Sequence, residues 1–541
     1  MQALKQVRSR WNQLGGLQQA AVVLIAVGIF FRLANLDGKI LWHDEVYTNF
    51  RAAGYLSAEV QDTLFQNQTF RASEIRQFQS IKPNSTVWDT VRGLAVEDPQ
   101  HPPPYFVMAR VWMVLFGSSI TADRMLPAVI SLFSLPLMYA LGLELFASSA
   151  VALMATVLLA LSPLDILFAQ TARQYSLMTA TTIAVSWLLL RSIRTRRWND
   201  WGLYAGTTTV GFYTQPLFGL TVVAHGVYLA GLILKEKILP PTFSWEHHQY
   251  RKAGLFYLVA IAIAAVLFLP WAWVVHRNFE MAAATTDWTR SAIPMGTLLN
   301  LWVFNVTALF MDTDISVPPL LRLLSRIPIL VMIGVSLYTI YRWTPFPTWF
   351  FIVTSVGIPF LILALPDLMI GGLRSTVARF LIGCYPAIQL AVSYWIVHLW
   401  KQRQVWWRRM VLPMLVVVSV ASCTISLFAE TWWTKFPNYY NAAIADYIAT
   451  TEKSVVISDR GDEHINGANL VSLSFSLPEE TPFYLMRQPS DFALLPLQGW
   501  DDATLFVYRP SSELIDAVPE PWQIIPVNPV WNLWTLSPRK S

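Results

Sequence analysis

The chain is 541 residues long, 54% hydrophobic and only 13% charged, with a formal net charge of +5. Soluble domains carry about 25% charged residues, and here the apolar excess falls in blocks near the ~20 residues a helix needs to cross hydrocarbon. That excludes a soluble globular protein. Lys and Arg cluster in short loops, so the positive charge reads as membrane orientation and not as a nucleic-acid surface.

Lys5, Arg8 and Arg10 precede an apolar run from Leu17 to Leu36. The run is long for a signal peptide and lacks a small-residue cleavage site, so it reads as a retained first span with a cytoplasmic N-terminus. A loop of about 37–121 follows on the outer face, a length that usually carries function. It opens with Leu41-Trp42-His43-Asp44-Glu45. Paired acids there either cap a following helix, where the dipole favours negative charge, or do chemistry. Further along come Glu97-Asp98-Pro99-Gln100-His101-Pro102-Pro103-Pro104-Tyr105, a rigid extended turn by its prolines. The apolar stretch Pro104–Phe116 is too short to cross and is expected to lie at the interface.

Spans are expected near 122–143, 149–165 and 174–190, which brings Arg191, Arg194, Arg196 and Arg197 back to the cytoplasm after four crossings. Between the last two lie Leu161-Ser162-Pro163-Leu164-Asp165 and Phe168-Ala169-Gln170-Thr171-Ala172-Arg173-Gln174-Tyr175, in which Arg173 and Tyr175 suit a headgroup anchor or a site. Further spans are placed near 201–214, 217–234, 254–273, 327–341, 348–366, 380–399 and 410–429, about eleven in all. Leu298–Phe310 reads as a second interfacial helix. The basic residues Lys235, Lys237, Arg251 and Lys252, then Lys401, Arg403, Arg408 and Arg409, fall on the cytoplasmic side. Arg124, Arg374 and Arg379 fall on the other side and break that pattern; an Arg at membrane depth has a partner or a task. Cys384 and Cys423 lie in apolar segments, which indicates neither a disulfide framework nor a thiolate zinc site. From about Glu430 the chain leaves the membrane. A helix is expected at Tyr439–Ile448, and β-like runs at Ser454–Ser458, Thr504–Arg509, Trp522–Val527 and Trp531–Leu536.

The order of these motifs resembles the GT-C superfamily. Asp-Glu follows the first span, His101-Pro102-Pro103 precedes an aromatic helix, Phe116-Gly117-Ser118 is followed by Arg124, and then come Ser162-Pro163 and Gln170-x-Ala172-Arg173-x-Tyr175. In particular the chain is similar to the family-39-like membrane glycosyltransferases, which include protein O-mannosyltransferases and lipid A aminoarabinose transferases. The resemblance covers about the first 215 residues, including Tyr213-Thr214-Gln215 where relatives often carry Thr-His. It resumes at Arg379-Phe380 with Pro386; residues 216–370 and the C-terminal region match by architecture. Thr171 stands where relatives commonly have an acid.

The resemblance implies an all-α polytopic membrane protein of the GT-C type, with a transmembrane domain over 1–429, interfacial helices in the outer loop 37–121, and a small α/β outer domain over 430–541. It implies a polyprenyl-phosphate sugar donor, such as the mannose derivative, and a hydroxyl acceptor on a glycan, lipid or protein. Asp44 matches the family's catalytic acid and is expected to take the acceptor's proton, with Glu45 positioning it. Arg379, backed by Arg124, Arg173 and Arg374, suits the leaving phosphate, while Gln170 and Tyr175 belong to the substrate-binding motif. A single displacement inverts the anomeric centre. Asp98 and His101 either orient the acceptor or share a divalent cation with Asp44. The competing class is a transporter or flippase for a lipid-linked sugar, which calls for ionisable groups near mid-membrane and paired discontinuous helices.

Overall fold

A computed structural model describes residues 15–238, 249–314, 318–401, 410–462, 464–500 and 502–539. The basic residues Lys5, Arg8, Arg10, Arg403, Arg408 and Arg409 lie outside the described residues. The rest falls into two compact units.

The first unit comprises residues up to Ala34, Asp98–Tyr105 and Arg124–Leu427. Among the described residues eight helices are long and apolar enough to cross a membrane: Gly16–Leu33, Ile120–Phe146, Tyr175–Thr195, Pro216–Ile238, Tyr250–Arg277, Pro319–Trp343, Phe346–Ile370 and Val411–Phe428. The pair Ser149–Ala160 and Pro163–Ala169, bent by 59°, makes a ninth if it is one span. The expectation was about eleven, and eight or nine helices among the described residues have that length and apolarity. Trp198–Thr214 and Tyr385–Lys401 fall where two more spans were expected and have 17 residues each. At 1.5 Å per residue they reach about 26 Å, the short end of crossing helices. Pro104–Phe116 and Met295–Thr307 are helices of 13 residues, too short to cross alone.

The bend in the pair has a local cause. Pro163 lacks an N–H, which leaves the Leu159 carbonyl without its helical donor. The Leu164 amide turns away to Ala308 O at 3.2 Å, and the Ala160 carbonyl is freed as well. Arg32, fully buried in the first span, replaces both donors: Nη2 donates to Leu159 O at 2.7 Å and Nη1 to Ala160 O. Gly28, one turn earlier, permits the approach, because a Cβ there would collide with the Ala160 carbonyl. Arg32→Met is therefore expected to strand the buried Ala160 carbonyl, at roughly 1–3 kcal/mol, and to leave Leu159 O with the long contact from the Ser162 amide at 3.4 Å. The unfolding midpoint of the detergent-solubilised protein should fall by several degrees; an unchanged midpoint would mean that other donors satisfy the break.

The second unit comprises Asn35–Glu97, Phe106–Asp123 and Phe428–Ser541. Its six-stranded sheet has the order β1-β3-β2-β4-β6-β5. The strands are β1 (Gln68–Arg71), β2 (Ser454–Ser458), β3 (Pro482–Leu485), β4 (Thr504–Tyr508), β5 (Trp522–Asn528) and β6 (Leu533–Pro538). β2 pairs in parallel with β3 and β4, and the outer pairings are antiparallel. Helix Asn466–Ser476 crosses from β2 to β3. On one face Val456, Phe483 and Phe506 pack with Leu470 and Val471 of that helix and with Val46 and Phe50 of helix His43–Ala53. On the other, Val455, Ile457 and Tyr484 pack with Phe492 and Leu495. A sheet buried on both faces reads as continuous apolar strands, which is why β2 and β4 were visible in the sequence. The segment Asn35–Glu97 supplies edge strand β1, in register with β3 from Gln68↔Leu485 to Arg71↔Pro482, and part of the core.

Candidate active site

In the second unit, helix His43–Ala53 begins with both acids in its first turn. Glu45 is fully buried. Its Oε2 accepts the Trp42 amide at 3.0 Å and the Lys435 ammonium, itself 1% exposed, at 2.8 Å. A carboxylate three residues into a helix that returns to the cap amide satisfies a donor the helix leaves open. The capping role weighed for the paired acids therefore belongs to Glu45. Asp44 is half-buried and keeps surface. The segment before the helix is held as firmly: Trp42 Nε1 donates to Phe436 O at 2.8 Å, and the His43 amide to Asn438 Oδ1 at 2.6 Å. Lower on the helix Asn49 donates to Asp123 at 2.7 Å, and Arg51 pairs with Glu97 at 2.5 Å.

In the first unit three of the expected residues meet. His101 Nε2 lies 2.9 Å from Arg173 Nη2, and His101 Nδ1 lies 3.8 Å from Asp98 Oδ1. A guanidinium only donates, so Nε2 is the acceptor and the hydrogen of the neutral ring sits on Nδ1, facing Asp98. Gln100 donates to Asp98 at 2.8 Å, and Trp271 Nε1 pins the turn through Pro99 O at 3.0 Å. Arg173 is 6% exposed, so its five-donor fork is aimed by His101 instead of by solvent.

The other expected residues are placed as follows. Arg379 is half-buried, its guanidinium over the rings of Trp288 at 5.4 Å and Phe380 at 5.5 Å, a cation held by two aromatic faces. Arg124 is buried in the first turns of Ile120–Phe146, and Tyr175 is buried against Phe168, with ring centroids 5.2 Å apart. Two residues have partners within the first unit. Gln170 caps the first span, its amide nitrogen donating to Phe31 O at 2.7 Å and Ala34 O at 2.9 Å. Arg374 pairs with buried Asp367 at 3.0 Å, whose second oxygen takes the Ser375 amide and hydroxyl at 2.6 and 2.7 Å. Its charge is met within the protein. Thr171 donates to Leu167 O at 2.8 Å and so closes a helical turn where relatives carry an acid. No group of three or more His, Cys, Asp or Glu side chains able to hold a metal occurs among the described residues, so the shared-cation alternative lacks a donor set there. Sequence reasoning missed Lys435; its signal was a lysine just beyond Val411–Phe428, in a segment expected to lie on the side where cations are scarce.

The chain is similar in architecture to crystal structures of ArnT from Cupriavidus metallidurans. The apo form matches with a TM-score of 0.54 at 15% identity, over 96% of this chain and 98% of that one. The form bound to undecaprenyl phosphate matches at 0.53 and 14%, over 95% and 97%. The chain shares its fold with ArnT. Residues 100–274 match the sequence profile of the dolichyl-phosphate-mannose-protein mannosyltransferase family. The match takes in His101, Arg124, Gln170, Arg173 and Tyr175 and runs past residue 215, where the motif resemblance stopped; Asp44 and Arg379 lie outside it. No protein of curated function matches by sequence.

Proposed function

We propose that this multi-pass membrane protein transfers a sugar from a polyprenyl-phosphate donor to a hydroxyl acceptor at the non-cytoplasmic face, inverting the anomeric centre. Asp44 removes the acceptor's proton as oxygen attacks the anomeric carbon. The bond to the phosphate oxygen breaks in the same step, and negative charge gathers on the leaving phosphate, where Arg379 and Arg173 offset it. Phosphate leaves without a strong general acid. The observation that carries this reading is the division of labour between two adjacent acids: Glu45 is buried in an ion pair and a cap, while Asp44 keeps surface at the same helix start. Arg173, aimed by the Asp98–His101 pair, gives the phosphate side a fixed guanidinium.

The direct test supplies purified protein with undecaprenyl-phosphate mannose or aminoarabinose, labelled in the sugar, and extracted envelope material as acceptor. Release of undecaprenyl phosphate with label in the acceptor supports the reading. Intact donor moved across a bilayer without cleavage would assign a flippase instead.

Sidedness is tested separately. Cys384 and Cys423 are both buried, so the background is low. Cysteines introduced beside Asp98 and Ser490 should react with an impermeant thiol reagent outside intact cells, and one beside Arg196 should not. Labelling at Arg196 from outside would invert the orientation.

A further inference from the structure

In the first unit, Trp288 stands on a single helical turn, Asp287–Arg290, that a neighbouring loop clamps from one side. Thr289 is buried; its hydroxyl donates to Thr286 O at 2.8 Å, and its carbonyl accepts the Leu373 amide at 2.9 Å. The loop comes this close because Gly371 and Gly372 precede Leu373, at φ of +83° and +139°. A Cβ on Gly372 would lie 2.5 Å from Asp367 Oδ1 and 3.2 Å from Thr289 O. Thr289 thus ties the turn down, while the Trp288 side of it is 44% exposed.

The ring has polar and charged company. Asp287 and Arg290 flank it, 68% and 63% exposed and 3.4 Å apart. Ionised groups so exposed belong in water or among headgroups, not in hydrocarbon. The Arg379 guanidinium lies 5.4 Å from the Trp288 ring centroid, and the Phe380 ring lies 6.5 Å away, tilted by 40°. Arg379 enters here as a positive charge fixed beside the indole, whatever else it pairs with.

We propose that Trp288 is a substrate-binding residue for the sugar of the donor. This rests on the reading above in which Arg379 offsets the phosphate. In a polyprenyl-phosphate sugar the anomeric carbon is one oxygen away from phosphorus, so a phosphate held at Arg379 brings the sugar within reach of the indole. The C–H groups on a pyranose face carry partial positive charge and rest on the negative face of an aromatic ring. The loaded carrier is then held by ring and cation, the spent carrier by the cation alone, and transfer itself loosens the product.

The test displaces labelled undecaprenyl phosphate from purified protein in nanodiscs. The competitors are undecaprenyl-phosphate mannose, its aminoarabinose counterpart and unlabelled undecaprenyl phosphate. In the wild type at least one sugar-bearing lipid should bind about fivefold or more tighter than the bare phosphate, within what aromatic contacts contribute. Trp288→Ala should abolish that difference and keep the affinity for undecaprenyl phosphate, which also shows that the variant is folded. Trp288→Leu, which keeps more bulk, should do the same. Equal weakening of all three lipids, or no change in any, overturns the sugar role, because a headgroup anchor or a packing residue behaves in that way. A wild type that binds the three alike overturns it too. Arg379→Gln should weaken all three. If it weakens none, Arg379 is removed from the phosphate, while the comparison at Trp288 still decides the sugar role.

Discussion

Asp44→Asn is expected to lower sugar transfer by about 100-fold or more, within the range general-base catalysis supplies, with little change in stability. Asn has the shape of Asp but does not take a proton at neutral pH, so the acceptor hydroxyl loses its base while the site keeps its form. Losing a negative charge in the first helical turn of a half-buried site costs about 0.3–2 kcal/mol. The principal cap is on Glu45, which stays buried against Lys435 and the Trp42 amide. The measurement is kcat with saturating undecaprenyl-phosphate sugar, alongside an unfolding midpoint. Transfer within threefold of wild type in a folded variant would remove Asp44 from the chemistry. Because the acid acts in the displacement, the loss should appear in kcat and kcat/KM together.

What the sequence disclosed follows from range. Spans such as Tyr250–Arg277 announce themselves through length and apolarity alone, and β2 and β4 through unbroken apolar runs. Strand β1 was invisible because Gln68-Thr69-Phe70-Arg71 is mostly exposed and has no alternation; only its pairing with β3, more than 400 residues on, makes it a strand. For the motif residues, the sequence left their partners open. Gln170 in a substrate motif and Gln170 capping Phe31 and Ala34 are the same letter until the end of the first span is placed beside it. Arg374 looked as available as Arg379, and only the geometry shows that Asp367, seven residues earlier in an apolar helix, pairs with Arg374. Adjacent acids pose the same problem at closer range. Nothing local separates Asp44 from Glu45, and the residue that does, Lys435, lies 390 positions away.

That remote lysine carries the largest expected effect on stability. Lys435 and Glu45 are 1% and 0% exposed at 2.8 Å, so Lys435→Met leaves a carboxylate buried without its counter-charge, at a cost of about 3–5 kcal/mol. The unfolding midpoint should drop accordingly and the variant should accumulate poorly in membranes. Pairing it with Glu45→Gln removes the stranded charge, and an amide oxygen still reaches the Trp42 N–H, so the double variant should regain most of the loss. Stability and function part at this point. If Glu45 serves only to cap the helix and hold its neighbour, the double variant should also regain most of its transfer activity, because Asp44 is untouched. A double variant that recovers its midpoint but stays inactive would make Glu45 a participant in the reaction, and a single variant as stable as wild type would mean that the buried pair is not ionised.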